Sequence, residues 1–380
     1  MTTTTDDQLL LARRGAIEES GWGVTPTIVQ PRNFCFWVTL FLLAGGVLQT
    51  YIAYQPGLAT YPTSVAQGAV YFTLFGAFIL WIIFQLDRYS RLPGSVRLGV
   101  FLIGGLVSSF AVAAQYNNAF LGILTKTQGS AFVKDWGPGL TAPVSEEIAK
   151  QLPLILLIGL APRVVRSAFD GLIIGMISGL AFQVVESVTY VFHSVDSSFG
   201  NESVGTVVLF TRTAFGFTGH WMWSGIVGAG IIYLIGRPAQ PRRVGLGLAL
   251  ILAPMVMHGA WDASGALLGA LTYVIMGAGT VALLIWTYRT TVPTERQWMR
   301  DILAPEVAAG VITEAELDAA VGSRKARRRY VKDQKGHTAE RSTRHVLDAT
   351  HDLADRLALS RGATTPHVEF ARAEIARLRP

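Results

Sequence analysis

The chain has 380 residues, 51% of them hydrophobic and only 15% charged, with a mean hydropathy of +0.39. That composition excludes an ordinary soluble domain and describes an integral membrane protein. The net charge is +6, concentrated toward the end, where 17 Lys or Arg stand against 13 Asp or Glu from Arg289 onward; the single cysteine, Cys35, excludes an internal disulfide.

Residues 1–33 carry Arg13, Arg14, Glu18 and Glu19 and no long apolar run. They do not read as a cleaved signal peptide, so the first span is expected to be retained as an anchor. Crossing a bilayer takes about 20 apolar residues. Eight runs qualify, at about Phe34–Tyr54, Ala66–Leu86, Leu98–Tyr116, Thr141–Leu160, Ala168–Phe192, Val207–Ile235, Val244–Ser264 and Ala270–Tyr288. The last two are joined tightly enough to form a helical hairpin. The expected fold is all-α, a polytopic transmembrane bundle of about eight spans followed by a helical and partly disordered tail. The chain then divides into a segment 1–33, a membrane region 34–289 and a basic tail 290–380.

Lys and Arg in the loops set the expected orientation. Arg88, Arg91, Arg97, Arg163, Arg166, Arg237, Arg242 and Arg243 lie on one side; Lys126 and Lys134 lie on the other, with Arg212 at a membrane edge. The positive-inside rule puts both termini in the cytoplasm. The loops Asn117–Leu140 and Ser194–Thr206 are then outside. The tail carries a capping-box pattern at Thr313-x-x-Glu316. Its basic run Arg324–Arg329 reads as a solvated face, with the segment lying near anionic lipid headgroups rather than nucleic acid.

Ionisable residues mark the working part. The first three spans and the eighth contain none. The fourth holds Glu146, Glu147 and Lys150, the fifth Glu186, the sixth His220, and the seventh His258 and Asp262. An acid or a base at the bilayer centre costs about 2.5–3.5 kcal/mol, so such a cluster is hidden from lipid and reads as a functional site. Glu146 and Lys150, and likewise His258 and Asp262, stand four apart and share a helical face. Counted from the outer end of each span, Glu146, Glu186 and His258 lie at a common depth of about 8–9 Å, at 1.5 Å per residue. Gly171, Gly175 and Gly179, at four-residue spacing, read as helix packing.

This set suits peptide hydrolysis, which needs an activated water, charge stabilisation and a proton for the leaving amine. Glu146 and Glu147 would polarise water, one as base and one holding geometry. Glu186 and His220 would orient water or bind a metal. His258 and Asp262 would complete a metal site or form the oxyanion side, and Lys150 would balance charge. Glu186, His220 and His258 are the candidate ligands for zinc or another divalent ion. The His-Glu-x-x-His motif is absent, so composition leaves metal binding open. Pro143, Pro153 and Pro254 flank these residues and are expected to bend the helices. A proton- or ion-coupled transporter, or a non-catalytic receptor or scaffold working through its tail, are the competing expectations.

At these residues the sequence resembles the PrsW family of intramembrane proteases, within a wider group that includes the CAAX prenyl endopeptidases. The pattern is Glu146-Glu147-x-x-Lys150, Phe182-x-x-x-Glu186, His220 and His258-x-x-x-Asp262, on successive spans between about Trp136 and Ser264. The CAAX-type enzymes carry Glu-Glu-x-x-x-Arg and a histidine at the place of Glu186, a departure that favours the PrsW branch. The resemblance implies proteolysis of membrane proteins. It implies anti-sigma factors as the substrate class, cut on the outer side. The tail after Tyr288 lies outside it.

Overall fold

The computed structural model describes residues 5–89 and 92–379. Arg91, one of the predicted loop arginines, lies outside the described residues, as do residues 1–4 and 380 of the terminal segments. The chain separates into two compact units, a larger one from Thr27 to Thr291 and a smaller one joining the residues before it to those from Val292 onward. Among the described residues every regular element is helical apart from one isolated bridge, Arg237–Gln240. The smaller unit begins with α1 (Thr5–Ser20). The larger contains α2 (Phe34–Thr60), α3 (Pro62–Leu86), α4 (Gly94–Leu102), a π-helical stretch Ile103–Ala113 and α5 (Ala114–Gln128). There follow α6 (Ser130–Ala149), α7 (Leu152–Leu160), α8 (Ala168–Ser197), α9 (Glu202–Gly216), α10 (His220–Ile235) and α11 (Val244–Asp262), and then α12 (Ala270–Ala308), which begins in the larger unit and runs past Thr291 into the smaller.

Six of these stretches are long and apolar enough to cross a membrane: Phe34–Thr60, Pro62–Leu86, Gly94–Gln128, Ala168–Ser197, Val244–Asp262 and Ala270–Ala308. The other two expected spans are each broken in two, as α6–α7 and α9–α10. Proline accounts for the first break, and side chains repair the backbone at both. Pro153 has no N–H to give the Ala149 carbonyl four residues back; Ser108 Oγ donates to that carbonyl instead, at 2.8 Å, and Ser178 Oγ donates to Lys150 O at 2.6 Å. At Phe217–Gly219 the freed carbonyls of Gly216 and Phe217 accept from Gln183 Nε2 (2.9 Å) and Trp221 Nε1 (3.1 Å). Broken backbone survives at membrane depth where neighbouring side chains satisfy it in this way.

The segment Asn117–Leu140, expected as a loop, is helical. The apolar run ends near Tyr116, but the following residues continue α5 to Gln128, and only Gly129, at φ 87°, turns the chain into α6. Hydropathy marks where a helix leaves lipid, not where it stops.

Of the six stretches able to cross a membrane the most buried is α8, which packs against α10, α3 and the π-helical stretch. Ser167 starts it with a capping box closed by Asp170. A Cβ at Gly171, Gly175 or Gly179 would come within 2.1–2.5 Å of the carbonyl oxygens of Gly228, Ser224 and His220 respectively. These glycines therefore let the two backbones touch, as expected from their spacing, and Gly179 sets the position of His220.

The smaller unit adds α13 (Glu314–Val321), α14 (Arg324–Lys332), α15 (His337–Leu359) and α16 (Pro366–Leu378). The Thr313–Glu316 capping box is formed. Arg13 is buried and donates to Ile302 O (2.8 Å) and Glu306 Oε1 (2.7 Å), while Arg372 donates to both oxygens of Glu306. The basic run lies on the largely exposed α14.

Candidate active site

The break between α6 and α7 places Glu146, Glu147 and Lys150 at the end of α6. The break between α9 and α10 makes His220 the first residue of α10, so its ring faces the cluster. The uninterrupted helices α8 and α11 supply Glu186 from one, His258 and Asp262 from the other.

Lys150 is fully buried and forms the centre of the inner layer. Its Nζ lies 3.1 Å from Glu146 Oε2, 2.9 Å from Glu147 Oε1 and 2.7 Å from His220 Nδ1. It also sits 4.2 Å above the ring of Phe182, a cation–π contact that accounts for the aromatic residue of Phe182-x-x-x-Glu186. Glu147 accepts from Ser224 Oγ at 3.1 Å and lies 3.2 Å from His258 Nδ1. Glu147 and Lys150 are thus a supporting layer, and neither lines the open cavity.

That cavity has a volume of about 470 Å³ and is walled by Glu146, Glu186, His220, His258, Asp262 and Arg212, among others. His258 Nε2 lies 3.7 Å from Glu146 Oε2 and 3.3 Å from Asp262 Oδ2. His220 Nε2 lies 3.2 Å from Glu186 Oε2, which is also paired with Arg212. The indole of Trp223 stacks on His258 with centroids 4.5 Å apart and is itself fixed by donating to Thr280 Oγ1 at 2.9 Å.

All seven predicted residues come together. Their grouping differs from expectation in one respect. Ligand atoms of Glu146, His220 and His258 lie within 4.8 Å of one another. Glu186, expected among the ligands, is instead engaged by Arg212 and His220. Two imidazoles and one carboxylate around an open cavity are a donor set that catalytic zinc sites use, so the residues present fit a divalent ion.

Arg212, Asn117, Ser224 and Trp223 belong to the site and were missed. Arg212 was read as a loop-edge charge, although its place within an apolar run was the signal. Asn117 donates to Glu146 Oε1 at 3.2 Å, and Ser224 holds Glu147; neither carries a charge to mark it in a hydropathy reading.

A protein-family model described as PrsW family intramembrane metalloprotease matches residues 92–288, about half of the chain. No curated protein and no solved structure matches.

Proposed function

The chain belongs to the PrsW family of intramembrane metalloproteases, and from that premise we propose that Glu146, His220 and His258 hold a divalent metal, zinc by preference, at which membrane-protein substrates are cut. The observation that carries this reading is the convergence of those three ligand atoms on the wall of an open cavity. Zinc in such a site supplies a Lewis acid and lowers the pKa of a bound water to about 7.

The remaining roles follow from what each side chain touches. Asp262 lines the cavity, and its Oδ2 lies against His258 alone among the ion-pairing groups of the site. Asp262 takes a proton from the attacking water and returns it to the leaving amine. Glu186, held by Arg212, fixes the ring of His220. Glu147 and Trp223 fix His258 from its other side and its face. Lys150 balances charge between the two buried glutamates, with Nζ 3.1 Å from Glu146 and 2.9 Å from Glu147. Partners that orient metal-binding histidines in this way tune affinity and activity without touching substrate.

The substrate is a membrane protein, on this reading an anti-sigma factor or similar regulator, cut in the outer half of the bilayer. Both chain termini are then cytoplasmic, in a bacterial-type plasma membrane. An ion path would need polar groups continuing inward beyond Lys150. The next helix, α7, reads Leu-Pro-Leu-Ile-Leu-Leu-Ile-Gly-Leu, which offers none and counts against transport.

The test compares new protein N-termini in host membranes expressing the wild-type chain or Glu146→Gln at equal levels. A membrane-protein terminus present only with wild type is expected. Identical sets of termini with both proteins folded and the wild type metal-loaded would overturn the proposal.

A further inference from the structure

A second cavity, of about 590 Å³, runs along α12 and opens sideways from the larger unit. Its floor is Gly277, Ala278, Val281, Ala282 and Ile285, a helical stripe, and its far wall includes Thr218 at the α9–α10 break. No charged side chain lines it. It shares three residues with the acid-and-histidine cavity: Phe215, Trp261 and Tyr273 line both. Those three rings pack on one another with centroids 4.7–5.9 Å apart, so a single aromatic layer separates the two spaces. Tyr273 is steadied by Ser264 Oγ, which donates to its hydroxyl at 2.7 Å.

On the inner side of that layer stands an unanswered acceptor. Gln183 is 2% exposed and lines the inner cavity. Its amide nitrogen is committed to Gly216 O, while Oε1 has no hydrogen-bond partner among the described residues. A buried carbonyl of this kind calls for a donor. A helix has spent its backbone N–H groups on itself, whereas an unwound stretch of chain has them free.

We propose that the α12 cavity docks the single transmembrane helix of the substrate, that Phe215, Trp261 and Tyr273 gate its passage inward, and that Gln183 Oε1 accepts a backbone N–H from the unwound stretch to be cut. The occupant is an apolar helix because the cavity is uncharged and faces sideways in a membrane protein. It is a substrate because the cavity continues, across one layer of rings, into the catalytic one. This inference rests on the protease reading above.

The test fills the cavity. Ala278→Trp is compared with Ile275→Trp, which is exposed on α12 but outside the cavity. Full-length enzyme in liposomes is given two probes bearing the sequence cut in host membranes: a single-span reporter, and a soluble peptide without the span. Ala278→Trp is expected to lower kcat/KM for the reporter at least tenfold and to leave the peptide within twofold, with Ile275→Trp changing neither. Equal losses on both probes, or no loss on the reporter, would overturn docking. A photoreactive benzophenone side chain at position 278 or 275 of the Glu146→Gln chain, in host membranes, gives a readout that needs no cleavage. An adduct from 278 alone, to the protein that wild type cuts, supports the proposal. No adduct, equal adducts from both positions, or capture of an uncut protein overturns it. Failure of the protease reading shows instead as wild type cutting nothing, whatever the adducts.

Discussion

Lys150→Met removes one buried ammonium from between two buried carboxylates, and its consequence can be worked out from the distances. At 2.9 and 3.1 Å, each attraction amounts to about 5 kcal/mol at an effective dielectric near 20. Burial of each ion costs several kcal/mol in return. The intact cluster therefore stabilises the fold little. Removing the lysine is different, because the attraction is lost while the desolvation of Glu146 and Glu147 remains. Losing one partner of a buried pair typically costs about 3–5 kcal/mol. For a protein of 380 residues that lowers the melting temperature by about 4–6 °C. The assay is thermal unfolding of the full chain in detergent, with Lys150→Met/Glu147→Gln as the control. The double variant replaces a stranded carboxylate with an amide that still accepts from Ser224, and should recover more than half of the loss. A single variant melting within about 2 °C of wild type would show that the carboxylates do not depend on the lysine, and the supporting-layer argument would fail.

Three further outcomes are expected. Asp262→Asn should lower kcat about 100-fold, as loss of an acid–base group does, with metal content unchanged by atomic absorption, whereas His258→Ala should lose both activity and metal; a metal-free Asp262→Asn protein would reassign that residue. Gly175→Ala places a Cβ 2.1 Å from Ser224 O; it should cost about 1–3 kcal/mol by prising α8 from α10, while Gly45→Ala, with nothing within 4 Å of its Cβ, should lose far less on the same melting curve. In the smaller unit, burial acts to raise the pKa of Glu306, but the hydrogen bonds of Arg372 and the charge of Arg13 outweigh it and hold the carboxyl below its ordinary range. Its stabilisation is present above the unfolded pKa of about 4.3 and is lost as pH falls through the lower folded value. Relative to the intrinsic exchange rate, hydrogen exchange of α15 and α16 should therefore accelerate in acid, and Arg372→Met should raise exchange at neutral pH and flatten that acid dependence; an unchanged pH profile would refute the linkage.

The membrane character, the helical class and the clustering of seven acids and bases were legible because each is written in a quantity the sequence carries directly. Apolar run length gives spans, and an ionisable residue within a run is conspicuous against a cost of about 2.5–3.5 kcal/mol. What could not be read was continuity. Hydropathy averages over a window, so the α6–α7 and α9–α10 breaks were hidden within runs that remain apolar throughout. Pro153 pointed to the first break; no proline lies at Phe217–Gly219. The ligand grouping depended on the same information. Glu146, Glu186 and His258 have similar depth, but only the rotation of each helix decides that Glu186 turns toward Arg212 while Glu146 turns toward both histidines.

The two breaks also explain why this site can tolerate so many charges without unfolding the bundle. A continuous α-helix commits its carbonyls to itself, and its side chains diverge around the axis. Ending α6 at Ala149 and beginning α10 at His220 brings a helix end and a helix start to one level. The carbonyls freed by the breaks are then taken by Ser108, Ser178, Gln183 and Trp221, none of which is a proposed ligand or proton carrier. Backbone repair and chemistry are thus assigned to different side chains. A substitution such as Glu146→Gln can change the chemistry while leaving the breaks closed, whereas Ser108→Ala or Ser178→Ala would reopen a carbonyl beneath an intact set of acids and histidines. That separation is what allows the site to be rigid enough to orient two imidazoles and still stand open to a substrate.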